Sequence, residues 1–246
     1  MLVIILLGVF IGTRRPKRPA KIPVAITVKG RIAIVLDDWG YNTNNLDIID
    51  QIKYPVTASI LPNLNYSRQV AEEFHNRGLG VILHLPMEPH EKYRLEKNTI
   101  LTTMDEQNIS KIIDEDLGNI IYANGVSNHM GSAATEDKRT MEIVFKELKK
   151  KHIFFLDSFV TAKSVCTNLA RKMGIETAKR DVFLDNTEEA GYIRAQIYKL
   201  KLRAKNKGYA IGIGHNRKIT LQVLKEVMPQ LEKEGFKFVL LSELVR

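Results

Sequence analysis

Cysteine is all but missing from this 246-residue chain: Cys166 stands alone, which excludes an intramolecular disulfide framework and a cysteine-based zinc finger. Glycine and proline, at 15 and 8 residues, are too sparse for a collagen-like or linker-rich architecture. No stretch reaches the ~20 apolar residues of a comfortable membrane span. Two marks of nucleic-acid binding are also missing, a recognition helix and basic residues interleaved with aromatics. The net charge of +9 does not replace them, because residues 14–21 (RRPKRPAK) hold five cations and no acid, which leaves +4 for the rest. No nucleic-acid partner is expected. The chain does have what a core needs: 44% apolar and 26% charged residues, over a length that suits one full-sized domain.

Met1–Gly12 (MLVIILLGVFIG) is an unbroken apolar run of about the length of a signal-peptide core. It lacks a basic region ahead of it and an A-x-A-like site behind it. The basic cluster that follows would resist translocation if the run were an anchor. The run reads as an export signal or a weak membrane anchor, the alternative being a buried N-terminal strand. Residues 13–23 then read as a linker. The expected organisation is an export or anchor segment with a basic, Pro-rich linker over 1–30, then a single domain over 31–246. The expected location is the cell envelope or the extracellular space, with weak membrane association through residues 1–12. A cytoplasmic location follows if the segment is not a signal.

From residue 22 onward, short apolar runs alternate with amphipathic stretches. Strands are expected at 31–36, 56–61, 80–84, 125–128, 152–156, 178–184, 209–214 and 236–241. Helices are expected at 44–52, 66–76, 108–122, 135–150, 163–173, 188–206 and 220–233. This alternation argues for a parallel α/β fold, and strands apolar throughout are buried on both faces. Seven or eight such units in about 220 residues fit a barrel better than two domains.

Reactive groups in such folds lie at the C-terminal ends of strands. Here those ends carry Asp37-Asp38, His84, Asn128-His129, Asp157-Ser158, Asp185-Asn186 and His215-Asn216. Asp37 and Asp38 offer two carboxylates pointing opposite ways, one for a metal and one as base; the plainer alternative is a pair of turn or N-cap acids. Asp38, His84 and His129 would leave open positions for water and substrate on a metal. His215 follows Gly-Ile-Gly and suits a general acid, or is a simple turn histidine. Trp39 either stacks on a sugar ring or plugs the barrel rim. Cys166 reads as a small buried residue, Lys149–Lys151 as a solvated helix end, and His75, His90 and His152 as structural or surface histidines.

Five segments in this order resemble the divergent polysaccharide deacetylases: Leu36-Asp37-Asp38, His84 through Pro89, Asn128 through Ser132, Arg180 through Asp185, and Gly212 through His215. The resemblance covers residues 30–246. It implies a distorted (β/α) barrel with about seven parallel strands and a divalent metal, zinc by expectation. It makes Asp37 the base, Asp38 a metal ligand and His215 the general acid. The His-x-x-x-His motif of mainstream deacetylases becomes His84-x-x-x-Glu88 here, so either Glu88 or His129 replaces the second histidine, with His129 favoured. The Arg-x-Pro-Tyr motif of those enzymes has no counterpart, and Arg180 is a candidate to orient the base. Asn128, Asp157, Asp181 and Asp185 are further candidates to bind or support the metal or a catalytic partner, and Trp39, Ser132 and Ser158 to touch the glycan. The implied activity is metal-dependent removal of an acyl group, N-acetyl by expectation, from a cell-envelope polysaccharide by a monomeric enzyme. The alternatives are a glycan-binding barrel of weak or no activity, and a metal hydrolase of phosphoesters or peptides.

Overall fold

The β-branched runs form parallel strands in the computed structural model, which describes residues 28–246. The segment and linker expected over 1–30 lie, but for the last three residues, outside the described residues. The strands are β1 (Gly30–Trp39), β2 (Thr57–Ile60), β3 (Gly80–Met87), β4 (Gly125–Met130), β5 (Phe154–Asp157), β6 (Thr177–Lys179), β7 (Val182–Phe183), β8 (Tyr209–His215) and β9 (Phe236–Phe238). Between them run α1 (Leu46–Ile49), α2 (Ser67–Asn76), α3 (Glu106–Asn119), α4 (Lys138–Lys150), α5 (Cys166–Met173), α6 (Ala190–Lys207) and α7 (Lys218–Lys233). Every strand pairing is parallel, in the order β6-β5-β4-β3-β2-β1-β8-β7, with β9 added to the start of β1. The result is a curled parallel sheet wrapped by helices, a distorted (β/α) barrel. Among the described residues no helix is long and apolar enough to cross a membrane.

Period-two alternation along the strands sorts the core into two packed clusters. Ile32, Ile34 and Leu36 of β1 join the helix-facing cluster, while Ala33 and Val35 join a smaller one that also holds Ile82, Phe154, Leu156, Ile211 and Ile213. Val239, Leu241 and Leu244, at and around a 3-10 turn over Leu241–Glu243, pack into that smaller cluster. One step further along the same faces come Asp37, His84, Ser158 and His215, at the open mouth.

Several elements depart from the expected pattern. The single strand expected over 178–184 is two strands, β6 and β7, at opposite edges of the sheet. No ladder joins them among the described strands, and Arg180-Asp181 crosses the seam. Asp181 breaks the apolar run because its backbone N–H and carboxylate both bind β8, at the carbonyl and amide of Ile211. The helix expected over 44–52 shrinks to four residues, with no side-chain cap at Asn45. The helix expected from Thr135 starts at Lys138, where the Asp137 carboxylate accepts the Thr140 amide as N-cap. Thr135 instead donates its hydroxyl to the Gly131 carbonyl. The fifth strand begins at Phe154 because His152 takes a left-handed φ of 56° in the preceding turn.

Candidate metal and catalytic site

β1 carries its alternation to Asp37 and then breaks it. Asp38 has φ of 63°, and the register with β2 shifts between Leu36 and Trp39. A left-handed aspartate costs on the order of 1 kcal/mol, which the surrounding packing must offset. The break turns both carboxylates toward one imidazole: His84 Nε2 lies 3.7 Å from Asp37 Oδ2 and 3.4 Å from Asp38 Oδ1. The expectation that the two acids point opposite ways is therefore corrected. The same break sends Trp39 into the helix-facing cluster, where it is 0% exposed and packs edge-on against Phe74. Fully buried between the sheet and α2, Trp39 presents no face to a sugar.

His129 comes from the end of β4, just before Met130 at φ of 51° and Gly131 at φ of 86°. Its Nδ1 is 3.3 Å from Asp38 Oδ1. Asp38, His84 and His129 thus form one cluster that could hold a metal ion, each offering one ligand atom, all within 4.8 Å of one another. Asp38 Oδ1 is buried and has no hydrogen-bond partner despite the two nearby ring nitrogens. Lone pairs gathered at this spacing without hydrogen-bond geometry fit a cation: a tetrahedral site with bonds of about 2.0–2.1 Å puts its ligand atoms about 3.3 Å apart. Burial alone would raise the Asp38 carboxyl, but the imidazoles of His129 and His84 outweigh it and hold the group well below the usual carboxylate range.

The supporting residues are hydroxyls inside the barrel. His84 Nδ1 is 2.9 Å from Ser127 Oγ, and Ser127 Oγ is 2.7 Å from Ser59 Oγ. With Nε2 turned to a cation, Nδ1 carries the ring hydrogen and donates to Ser127, which donates to Ser59. Ser59 in turn stabilises the Asp37 carboxylate. Burial dominates at Asp37, 2% exposed, and raises its pKa, with Asp38 adding to the effect while His84 and His215 oppose it.

His215 is the register partner of Asp37 across β1 and β8. Its Nδ1 donates to Asp185 Oδ1 at 2.8 Å, and its backbone N–H to Asp185 Oδ2 at 2.8 Å. Thr220 Oγ1 donates to Oδ2 as well, at 2.6 Å, and Arg217 holds the Asp185 carbonyl. Burial would lower the His215 pKa, but the hydrogen bond and charge of Asp185 overcome it and leave the ring above the ordinary imidazole value. Phe183 lies parallel to the His215 ring, centroids 5.8 Å apart, and the Arg180 guanidinium lies over the Phe183 ring at 3.8 Å.

Other expected site residues go elsewhere. Glu88 accepts the Thr102 backbone N–H and is not part of the Asp38–His84–His129 cluster. Asn128 and Ser158 clamp β4 to the end of β5: Ser158 N–H donates to Asn128 Oδ1, and Ser158 Oγ to the Asn128 carbonyl. Asp157 faces the helix side, accepting from Phe159 N–H and Ser164 Oγ, with its pKa raised by burial. Asp181 pairs with Lys207, binds β8 four residues before His215, and is not part of the Asp38–His84–His129 cluster. Ser132 accepts the His90 N–H in a surface loop. Arg180 donates to the carbonyls of Ser158 and Phe159 and makes no direct bond to the base. Ser59, Ser127, Phe183 and Thr220 escaped sequence reasoning. For the two serines a signal existed: each is a hydroxyl at an inward position of its strand, Ser59 between Ala58 and Ile60 and Ser127 two residues before His129.

A curled parallel barrel of this topology has the fold of the polysaccharide deacetylases. The family model for divergent polysaccharide deacetylases matches residues 34–245, and the chain belongs to that family. It is 35% identical over 202 residues to the protein YibQ of Escherichia coli K12, covering 82% of this chain and 63% of that one. The chain thus spans less than two thirds of the length of this relative. Among solved structures, protein ATU2773 of Agrobacterium tumefaciens superposes with a TM-score of 0.85 at 21% identity, covering 94% of this chain and 92% of that one. The Bc1960 peptidoglycan N-acetylglucosamine deacetylase shares the fold with a TM-score of 0.57 at 14% identity, covering 87% of this chain and 86% of that one.

Proposed function

We propose that this protein removes an acyl group, N-acetyl by preference, from a cell-envelope polysaccharide, with zinc as its metal. The observation that carries the reading is the convergence of Asp38, His84 and His129 beside a separate buried carboxylate, Asp37, with His215 as its register partner. Two imidazoles and one carboxylate suit zinc and leave room for water and substrate. A cation held there would supply Lewis acidity, polarising the amide carbonyl and making a water easier to deprotonate.

Asp37 would take the proton of the attacking water. Its raised pKa makes it a stronger base than an exposed aspartate, and its unpartnered Oδ1 is free to receive the proton. His215, held protonated by Asp185, would deliver a proton to the leaving nitrogen. The Asp185 carboxylate fixes Nδ1 as the hydrogen-bearing atom toward itself, which leaves Nε2 to face the substrate. Residues 1–12 would direct the chain to the envelope.

The test is acetate release from N-acetylated oligosaccharides by zinc-loaded protein and by Asp37→Asn. The variant is expected to keep its metal and lose about 10²–10⁴-fold in kcat. Undiminished turnover in Asp37→Asn would overturn the base assignment. Glycan binding without acetate release by the zinc-loaded wild type would favour the binding-barrel reading.

A further inference from the structure

The seam of the barrel opens into a groove of about 850 Å³ between β7 and α6. One side is Arg180 through Phe183 on the sheet edge; the other is a helical stripe that includes Tyr192, Lys199, Arg203 and Lys207. Four cationic side chains therefore meet one carboxylate, Asp181, and that carboxylate is already paired with Lys207. Lys199 and Arg203 have no carboxylate partner among the described residues. The whole of α6 (AGYIRAQIYKLKLRAKNK) carries six cations and no acid. A concave surface with a one-sided charge focuses the field on its occupant.

The groove and the candidate catalytic mouth meet at Phe183. Phe183 lines the groove and lies parallel to the His215 ring, while Arg180 lines it and holds its guanidinium over Phe183. A polymer whose reacting unit sits at His215 would lay its following units along α6. Tyr192 supplies an aromatic ring part-way along, amphipathic enough to meet a sugar.

We propose that this groove is an extended subsite for an anionic glycan, one whose sugars carry carboxylate or phosphate groups beside the N-acyl group removed at the mouth. The assignment deepens the deacetylase reading and rests on it for the nature of the reacting unit. Charge complementarity selects the ligand: a neutral polymer gains nothing from Lys199 and Arg203, whereas an acidic one exchanges its counterions for them.

The probe is a fluorescent octasaccharide of alternating glucuronate and N-acetylglucosamine, compared with a neutral N-acetylglucosamine octamer by anisotropy at two ionic strengths. The wild type is expected to bind the acidic probe at least tenfold more tightly at low salt. The Lys199→Glu/Arg203→Glu variant should lose at least tenfold for the acidic probe and less than twofold for the neutral one. Lys205→Glu, the same charge change on α6 outside the groove, should change neither. Should thermal melts show the double variant unfolded, the single Lys199→Gln and Arg203→Gln variants carry the test, with about threefold loss expected from each. Equal affinity of wild type for both probes, or loss of both probes alike in folded variants, would overturn the proposal. Tighter binding of a single-stranded oligonucleotide of equal charge would overturn the glycan assignment. Because the readout is binding, a barrel that binds the acidic probe as expected but releases no acetate refutes the deacetylase reading and leaves the groove standing.

Discussion

The barrel wall is built in two ways. From β1 to β5 the strands run four to ten residues, each pairs with its neighbour in a ladder, and the wall is buried on both faces. At the seam, β6 and β7 have three residues and two, and no ladder joins them. The continuous wall carries the Asp38–His84–His129 cluster, whose geometry could hold a cation only if each ligand atom keeps its place. The seam carries the Asp185–His215 support, the Arg180–Phe183 stack and the basic groove, where an elongated substrate needs space. Rigidity and access are thus divided between two arcs of one sheet.

Breaking the continuous wall should have the largest effect. Asp38→Ala, His84→Ala or His129→Ala is expected to abolish stoichiometric zinc and lower activity by 10³-fold or more, read by elemental analysis and acetate release. Retention of metal by His129→Ala alone would return Glu88 to consideration. On the seam side, Asp185→Asn should cost about 10–100-fold in kcat while leaving the metal in place. It should also shift the pH profile. In the wild type His215 keeps its proton above the ordinary imidazole pKa, so activity falls only as pH rises through that raised value. Without the Asp185 charge that alkaline limb should move toward acid.

Ser127→Ala sharpens the comparison further, because it removes the hydroxyl that fixes the His84 tautomer without touching any ligand. Zinc affinity should fall about tenfold, as measured by competition with a chelator. The smallest effect lies outside both arcs. Asp116 on α3 is 0% exposed and receives the side-chain amides of Asn63 and Asn98, yet its Oδ2 has no partner. Burial raises its pKa to about 6. The folded protein therefore holds a proton there that the unfolded chain releases near pH 4, and stability drops as pH rises from about 4 to about 6. Asp116→Asn should raise stability at pH 7 by about 2 kcal/mol, compared with little change at pH 4, checked by denaturant melts at both values. A variant less stable at pH 7 would show that the ionised form is the one the fold uses.

Much of this was legible along the chain. Apolar runs ending in Asp37, His84, His129 and His215 placed the chemistry at the strand ends, because parity within a strand is fixed by the backbone. Two steps back from the mouth, Ser59 and Ser127 were readable by the same parity, had the hydroxyls been weighed as well as the carboxylates and imidazoles. The carboxylates were read as opposed because alternation was carried through Asp38, and a left-handed φ at a non-glycine residue leaves no mark in a sequence; of the two readings left open for Trp39, burial removes the sugar-stacking one. Asp157 was misread for the opposite reason: its parity is regular and points it to the helix side.

The sequence by itself determined the strand–helix alternation, the depth at which each strand changes from apolar to reactive, and the local caps. These depend on neighbours two to four residues apart. Tertiary structure alone decided that His129 rather than Glu88 stands beside Asp38, that Asp185 rather than Asp181 holds His215, and that a strand read as one serves two edges of a sheet. Each of these choices rests on contacts between segments about 20 to 90 residues apart in the chain. Their positions are set by sheet register and closure, which no local pattern encodes.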